Sequence, residues 1–164
     1  MALLLGGLSC ETDLVEDPGF QFWCGTRLCE WRTEQGEIRR TSTWHENDYG
    51  VELVGAPVLL AQPFDRGTGR CSLVEAVTKI DPEAEVFVEI DEDDDGIPEW
   101  ERQLESSEDF IARSWEAEVN VSGENIITLD PDSDPPPGTA SIRKVGDGDA
   151  IIARIRISRE CSDD

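Results

Sequence analysis

The stretch AIIARIRIS (Ala150–Ser158) alternates in character along its length. Ile151, Ala153, Ile155 and Ile157 fall on one side of an extended chain, and Ile152, Arg154, Arg156 and Ser158 on the other. One dry face and one wet face is what an antiparallel sheet presents when half its surface packs on a core. EVFVEID (Glu85–Asp91) has the same two-residue period, with Val86, Val88 and Ile90 interleaved by Glu85, Phe87 and Glu89. Phe87 breaks the polar side of that pattern and is expected at an aromatic contact or on the surface. TASIRKV (Thr139–Val145) and the turn GDGD predict a hairpin with the final strand. Further strands are expected at Phe20–Cys24, Leu28–Arg32, Glu37–Trp44, Val51–Val54, Val58–Gln62, Ser72–Lys79, Trp100–Leu104 and Ile111–Val121. Only Ser106–Arg113 reads as a short helix.

Between these runs, turn signals recur at short spacing: Asp17-Pro-Gly, Gln35-Gly, Gly55-Ala-Pro, Gly67-Thr-Gly, Asp81-Pro, Asp95-Gly and Pro135-Pro-Pro-Gly. Many short strands punctuated this way predict an all-β antiparallel sandwich. At 164 residues the chain is long enough for one such domain. Its charge narrows the partners. Against 14 Lys and Arg stand 37 Asp and Glu, a net −23. That surface repels phosphate backbones and anionic lipid, so nucleic acid is excluded as a partner, while metal ions and basic proteins are attracted. The excess is concentrated between Asp81 and Asp134, whereas Ser141–Glu160 is locally basic. Arg143, Lys144, Arg154 and Arg156 are expected on the outer sheet face, paired with the acidic half.

The chain opens MALLLGGLSC, an apolar run that ends in small residues and Cys10 before the sequence turns acidic. This resembles the end of a bacterial lipoprotein signal, in which such a cysteine is acylated. Gly7 stands where a Leu is usual, and no Lys or Arg precedes the run, which an upstream start would explain. The expected product is an extracytoplasmic protein of the bacterial cell envelope, lipid-anchored at Cys10 or secreted, touching a membrane through its anchor only. Setting Cys10 aside leaves Cys24, Cys29, Cys71 and Cys161, an even number suited to two disulfides in an exported protein. The spacing favours Cys24–Cys29 across a short hairpin and Cys71–Cys161 as a long-range bond; a metal site among them would lack an obvious fourth ligand. The organisation expected is a signal segment at 1–10, a linker at 11–19, a sandwich domain at 20–161 and a tail at 162–164.

The order of signals resembles the galactose-binding-like jelly roll found in many carbohydrate-binding modules. Gly19 and Phe20 open it, and a stretch from Trp31 to Gly36 follows. TSTWHENDYGVELVG comes next, then a strand bearing Gln62 and a strand begun by Cys71. EVFVEID runs into a turn, and a strand carrying Trp115 precedes IRKVGDGDAIIARIRI. The resemblance covers about Gly19 to Cys161. It implies that the strand after the Gln62 strand pairs antiparallel with the last one, which would bring Cys71 near Cys161. It also implies non-catalytic binding of a glycan, with no enzyme activity.

Two segments offer chemistry. In IDEDDDGIPEWE (Ile90–Glu101), Asp91, Asp93 and Asp95 are spaced as in the first half of an EF-hand loop, and Gly96 follows. DxDxDGIP also resembles one thrombospondin type 3 repeat. Position twelve of the loop is Arg102 rather than Glu, and the repeat is single. Asp-Gly is equally a favoured two-residue turn between strands. The open readings are a plain hairpin, a hairpin with weakly held calcium through Asp91, Asp93, Asp95 and Glu99, and a true EF-like loop. Calcium is the only cofactor the sequence suggests. In TWHENDYG, Trp44 and Tyr49 could stack on a sugar ring while His45 and Asp48 bond its hydroxyls; alternatively, the two rings plug one end of the sandwich. A lone His without a flanking nucleophile gives no hydrolytic triad, and no catalytic residue is expected. The expected partner is therefore a glycan, or alternatively a basic protein meeting an acidic, calcium-binding face.

Overall fold

The structure, a computed structural model, describes residues 12–43, 48–64, 71–91, 96–117 and 138–160. Among them are eleven strands and no helix. In chain order they are β1 (Thr12–Asp13), β2 (Trp23–Cys24), β3 (Arg27–Leu28), β4 (Arg32–Ser42), β5 (Tyr49–Phe64), β6 (Cys71–Ile80), β7 (Glu85–Asp91), β8 (Trp100–Gln103), β9 (Ile111–Ala117), β10 (Gly138–Val145) and β11 (Ala150–Glu160). Every pairing among the described residues is antiparallel: nine strands run in the order β8-β7-β10-β5-β11-β6-β9, with β4 beside β5 and β1 beside β11, and β2 pairs with β3 in a separate two-stranded sheet. The all-β antiparallel sandwich expected from the alternation is what forms.

β5 turns one sheet into two layers. Val51–Leu53 pair with β11, whereas Val58–Phe64 pair with β10. Gly55, at φ 68, and Ala56-Pro57 make the bend between the halves. β4 follows the same fold: Arg32–Gln35 lie beside one half of β5 and Glu37–Ser42 beside the other. Gly36 sits at the crease with φ +85, and a side chain there would strike the Pro57 carbonyl. Two runs read as separate strands, Val51–Val54 and Val58–Gln62, are thus one long bent strand. The turn residues between them bend the chain without ending its pairing.

The inward faces close on one core. Val86, Val88 and Ile90 of β7, Ala140 and Ile142 of β10, and Val58 and Leu60 of β5 line one layer; Val74 and Ile80 of β6 and Ile152, Ile155 and Ile157 of β11 line the other, all essentially inaccessible to solvent. Burying such a side chain stabilises the fold by about 1.5–3 kcal/mol.

Several local expectations are corrected by the tertiary contacts. Along β11 the register shifts between Ile152 and Arg154. This bulge flips the alternation, so Ala150 and Ile152 face inward before it and Ile155 and Ile157 after it, and Ile151 is only half-buried. β10 and β11 do not form a hairpin, because β5 lies between them and GDGD carries the chain from one layer to the other. Lys144 does not lie on the outer face. Opposite Val86 and Val58 it must face inward, where it is buried and donates from Nζ to the Gly55 carbonyl at 2.5 Å. Burial lowers its pKa, against the pull of Asp147, Asp149, Glu52 and Asp81. Ser106–Arg113 forms no helix; its last residues begin β9.

From Thr12 onward the stretch read as a linker is part of the sandwich. Thr12–Asp13 pair with β11, Leu14 and Val15 are buried, and Gln62 grips Glu16 through both its amide oxygen (2.5 Å) and its amide nitrogen (3.0 Å). Phe20–Cys24 is a strand only at Trp23–Cys24, since Asp17 and Phe20 take positive φ (51 and 55). The Asp17 carboxylate accepts from the Gln21 and Phe22 amides at 2.8 and 3.0 Å, and its carbonyl accepts from Trp31 Nε1 at 3.2 Å. This turn seats Phe20 against Trp31 in the core, ring centroids 5.5 Å apart. Leu28–Arg32 is likewise broken, with Leu28 ending β3 and Arg32 beginning β4. Cys24 and Cys29 are bonded, Cα atoms 5.2 Å apart, as expected.

At the far side the layers end in β8 and β9. Trp100 and Arg102 lie opposite Ile90 and Val88, and Trp115 opposite Val74, so all three face the gap between layers. The Arg102 guanidinium carbon lies 5.9 Å from both indole centroids. An inward-pointing charge on an edge strand discourages pairing with another chain.

Candidate functional site

The outward residues of β4, β5, β7 and β10, with Gly96 and Pro98 from the β7–β8 connection, line an open groove of about 470 Å³. Small-ligand sites commonly measure about 300–1,000 Å³. Strand alternation puts each group there. In β7 the inward Val86, Val88 and Ile90 leave Phe87, Glu89 and Asp91 outward; in β10 the inward Ala140, Ile142 and Lys144 leave Thr139, Ser141 and Arg143 outward. Leu59 and Ala61 of β5 form an apolar floor, and Arg32 and Glu34 of β4 form one wall.

Arg143 is the organising residue. It sits opposite Phe87 in the register, and its guanidinium carbon lies 4.5 Å from that ring's centroid. Its Nε donates to Glu89 Oε1 at 2.7 Å, and its Nη2 reaches Glu101 Oε2 at 3.4 Å. Glu89 and Glu101 face each other across β7 and β8, where two carboxylates alone would repel. Burial pushes the Glu89 carboxyl above its usual range and Glu101 adds to the rise, while Arg143 pulls the other way. Hydrogen bonding to Glu89 raises the Arg143 pKa, so the guanidinium stays charged. Across the groove Arg32 pairs with Glu34 at 3.1 Å. Asp91 accepts from the Gly96 amide at 2.7 Å, which ties the β7–β8 connection to the end of β7. The groove is thus rigid, sheet-borne and lined by hydroxyls, carboxylates and guanidinium groups. Phe87, the outward neighbour of Glu89 along β7, is covered by Arg143.

The residues singled out by sequence distribute differently. Trp44 and His45 lie outside the described residues. Asp48 and Tyr49 close the β4–β5 hairpin, where the Asp48 carbonyl accepts from the Thr43 amide at 3.3 Å. Tyr49 is 39% exposed, with the Arg40 guanidinium carbon 4.5 Å from its ring centroid and its carbonyl accepting from Gln21 Nε2 at 2.7 Å. Tyr49 belongs to the half of β5 that pairs with β11, so it is on the other layer from the groove. Of the proposed calcium ligands, Asp93 and Asp95 lie outside the described residues, and Asp91 and Glu99 flank them. The Glu99 amide donates to the Ile90 carbonyl at 2.9 Å, and β8 pairs with β7 from Trp100. The hairpin is real, but its connection runs from Asp91 to Glu99 rather than over two residues. Among the described residues, no group of three or more His, Cys, Asp or Glu is arranged to hold a metal ion. Cys10 and Cys161 lie outside the described residues. β6 does pair antiparallel with β11, and Cys71 stands opposite Glu160, the residue before Cys161.

Sequence reasoning missed the groove. Its signal was Phe87, an aromatic on the wet side of EVFVEID, but its partner Arg143 is 56 positions away and only the register reveals it.

No protein-family model matches this sequence, and no curated protein matches it significantly. Solved structures do match the fold. The carbohydrate-binding module TmCBM61, in complex with beta-1,4-galactotriose, superposes with TM-score 0.59 at 13% identity, covering 91% of this chain and 99% of that one. The carbohydrate-binding module CBM6cm-2 from Cellvibrio mixtus lichenase 5A, in complex with cellotriose, gives 0.52 at 9% identity, covering 79% and 91%. The enzymatically active domain of bacteriophage CBA120 tailspike protein 4 gives 0.51 at 12% identity, but this chain spans 19% of it. The fold is therefore the β-sandwich jelly roll of carbohydrate-binding modules, as the resemblance implied.

Proposed function

We propose that this protein is a non-catalytic glycan-binding module whose main contact surface is the groove over β7, β10 and β5. The observation that carries this reading is the fixed polar constellation on an apolar floor, Arg143–Glu89–Glu101 with Thr139 and Ser141 above Leu59 and Ala61. Sugars offer hydroxyls that pair with carboxylates and guanidinium groups and C–H faces that rest on apolar side chains, so rigid sheet positions bind them at low ordering cost. The jelly roll shared with modules solved in complex with oligosaccharides supports the same reading. The loop at Trp44, His45, Asp48 and Tyr49 is a second contact surface; Tyr49 stands in the half of β5 that pairs with β11, away from the groove. Export, with acylation at Cys10 and a second disulfide between Cys71 and Cys161, fits the Cys24–Cys29 bond, since such bonds persist outside the reducing cytosol.

A net charge of −23 favours one further reading, in which the acidic face holds a basic protein and calcium at Asp91, Asp93, Asp95 and Glu99. Isothermal titration against soluble oligosaccharides separates the two. Saccharide binding lost in Arg143→Ala and kept in Trp44→Ala assigns the groove, and the reverse assigns the loop. No saccharide bound at millimolar concentration, with salt-sensitive capture of basic proteins, replaces the glycan reading with the second.

A further inference from the structure

The groove has an unequal charge lining, and its cations are already engaged. Glu34, Glu89 and Asp91 face Arg32 and Arg143, and Glu101 stands at the rim. Arg32 is held by Glu34 at 3.1 Å, and Arg143 by Glu89 at 2.7 Å and Glu101 at 3.4 Å. An incoming carboxylate or sulfate meets no guanidinium that is not already paired. To gain one it must displace a sheet-mounted carboxylate, which then stays beside it as a like charge. Four carboxylates thus stand in or beside the groove against two guanidinium groups, and the protein as a whole carries −23. The field over the groove is therefore negative at both short and long range. A hydroxyl has no such difficulty, because it can donate to Glu89 or Asp91 and accept from Arg143 without breaking their pairs.

We propose that the groove sorts glycans by charge, accepting uncharged chains and rejecting those bearing uronate or sulfate groups. This rests on the glycan-binding reading above and adds the class of glycan. Hydroxyethyl cellulose, β-1,4-galactan and galactomannan, each before and after oxidation of its C6 hydroxyls to carboxylates, are the probes. Affinity electrophoresis and titration at 20 mM and 1 M NaCl give the readout. At 20 mM NaCl the expected preference for the unoxidised form is about tenfold or more. At 1 M NaCl, where the Debye length falls to about 3 Å, it narrows to about two- to threefold. Glu34→Gln, an exposed change at the groove wall, narrows the low-salt preference while leaving the melting temperature unchanged. Equal or tighter binding of an oxidised probe overturns the charge sorting and leaves the glycan reading standing. A preference that ignores both salt and Glu34→Gln also overturns it, because the cause is then steric. Failure of all six probes to bind counts against the glycan reading itself.

Discussion

Removing the Ile152 side chain beyond Cβ tests the bulge in β11 directly. Strict alternation places Ile151 in the core with Ile155 and Ile157, and Ile152 outside. The register shift after Ile152 places Ile152 inside instead, at 0% exposure, and leaves Ile151 half-buried. Ile to Ala deletes three carbons, about 0.8 kcal/mol each in lost transfer free energy. A cavity term adds to this, because a core position flanked by β5 and β6 relaxes only in part. Ile152→Ala should therefore cost about 3–4 kcal/mol and Ile151→Ala about 1 kcal/mol. Ile155→Ala, inward under either pattern, serves as the reference and should match Ile152→Ala. Urea unfolding followed by tryptophan fluorescence gives each value, with the denaturant slope expected to stay constant. In a thermal scan the larger cost appears as a drop of about 10 °C for a chain of this size. If Ile151→Ala costs as much as Ile155→Ala while Ile152→Ala is nearly silent, the bulge is absent and the layer assignment of β11 fails with it.

Gly36→Ala should destabilise by about 3 kcal/mol in the same assay, from a left-handed backbone and a Cβ driven against the Pro57 carbonyl and Val58 Cα at 2.9 Å. Gly25→Ala, also at positive φ (+73) but with open space around it, should cost about 1 kcal/mol. Replacing Cys24 and Cys29 by Ser opens a loop of sequence separation 5 and should cost about 2 kcal/mol on the chain-entropy model. A change below about 0.5 kcal/mol would show that the unfolded hairpin is already ordered. The raised Glu89 carboxyl predicts a pH signature. The folded state holds that proton more tightly than the unfolded chain. Its contribution is therefore present below the unfolded pKa and is lost as pH rises through the folded one. The stability of the wild type relative to Glu89→Gln should then grow as pH falls from 7 toward 4, and a flat difference would contradict the burial of Glu89.

What the chain determined locally was considerable. Val86, Val88 and Ile90, or Ala140 and Ile142, declare their inward face because a strand has period two and water penalises the other choice. The short pairing of Cys24 with Cys29, the extreme acidity and the all-β class follow from near neighbours and composition. The tertiary structure decided what depends on distant partners. Gly55-Ala-Pro57 reads as a turn, yet β10 and β11 on either side of β5 keep it one strand through the bend. Lys144 reads as a surface cation, yet its register against Val86 and Val58 sends it inward to the Gly55 carbonyl. The alternation of AIIARIRIS is real on each side of a bulge, and only pairing with β6 shows where the phase slips. The groove is the plainest case, because hydrogen-bond register between strands far apart in sequence is a non-local choice. That choice sets Arg143 over Phe87 and between Glu89 and Glu101.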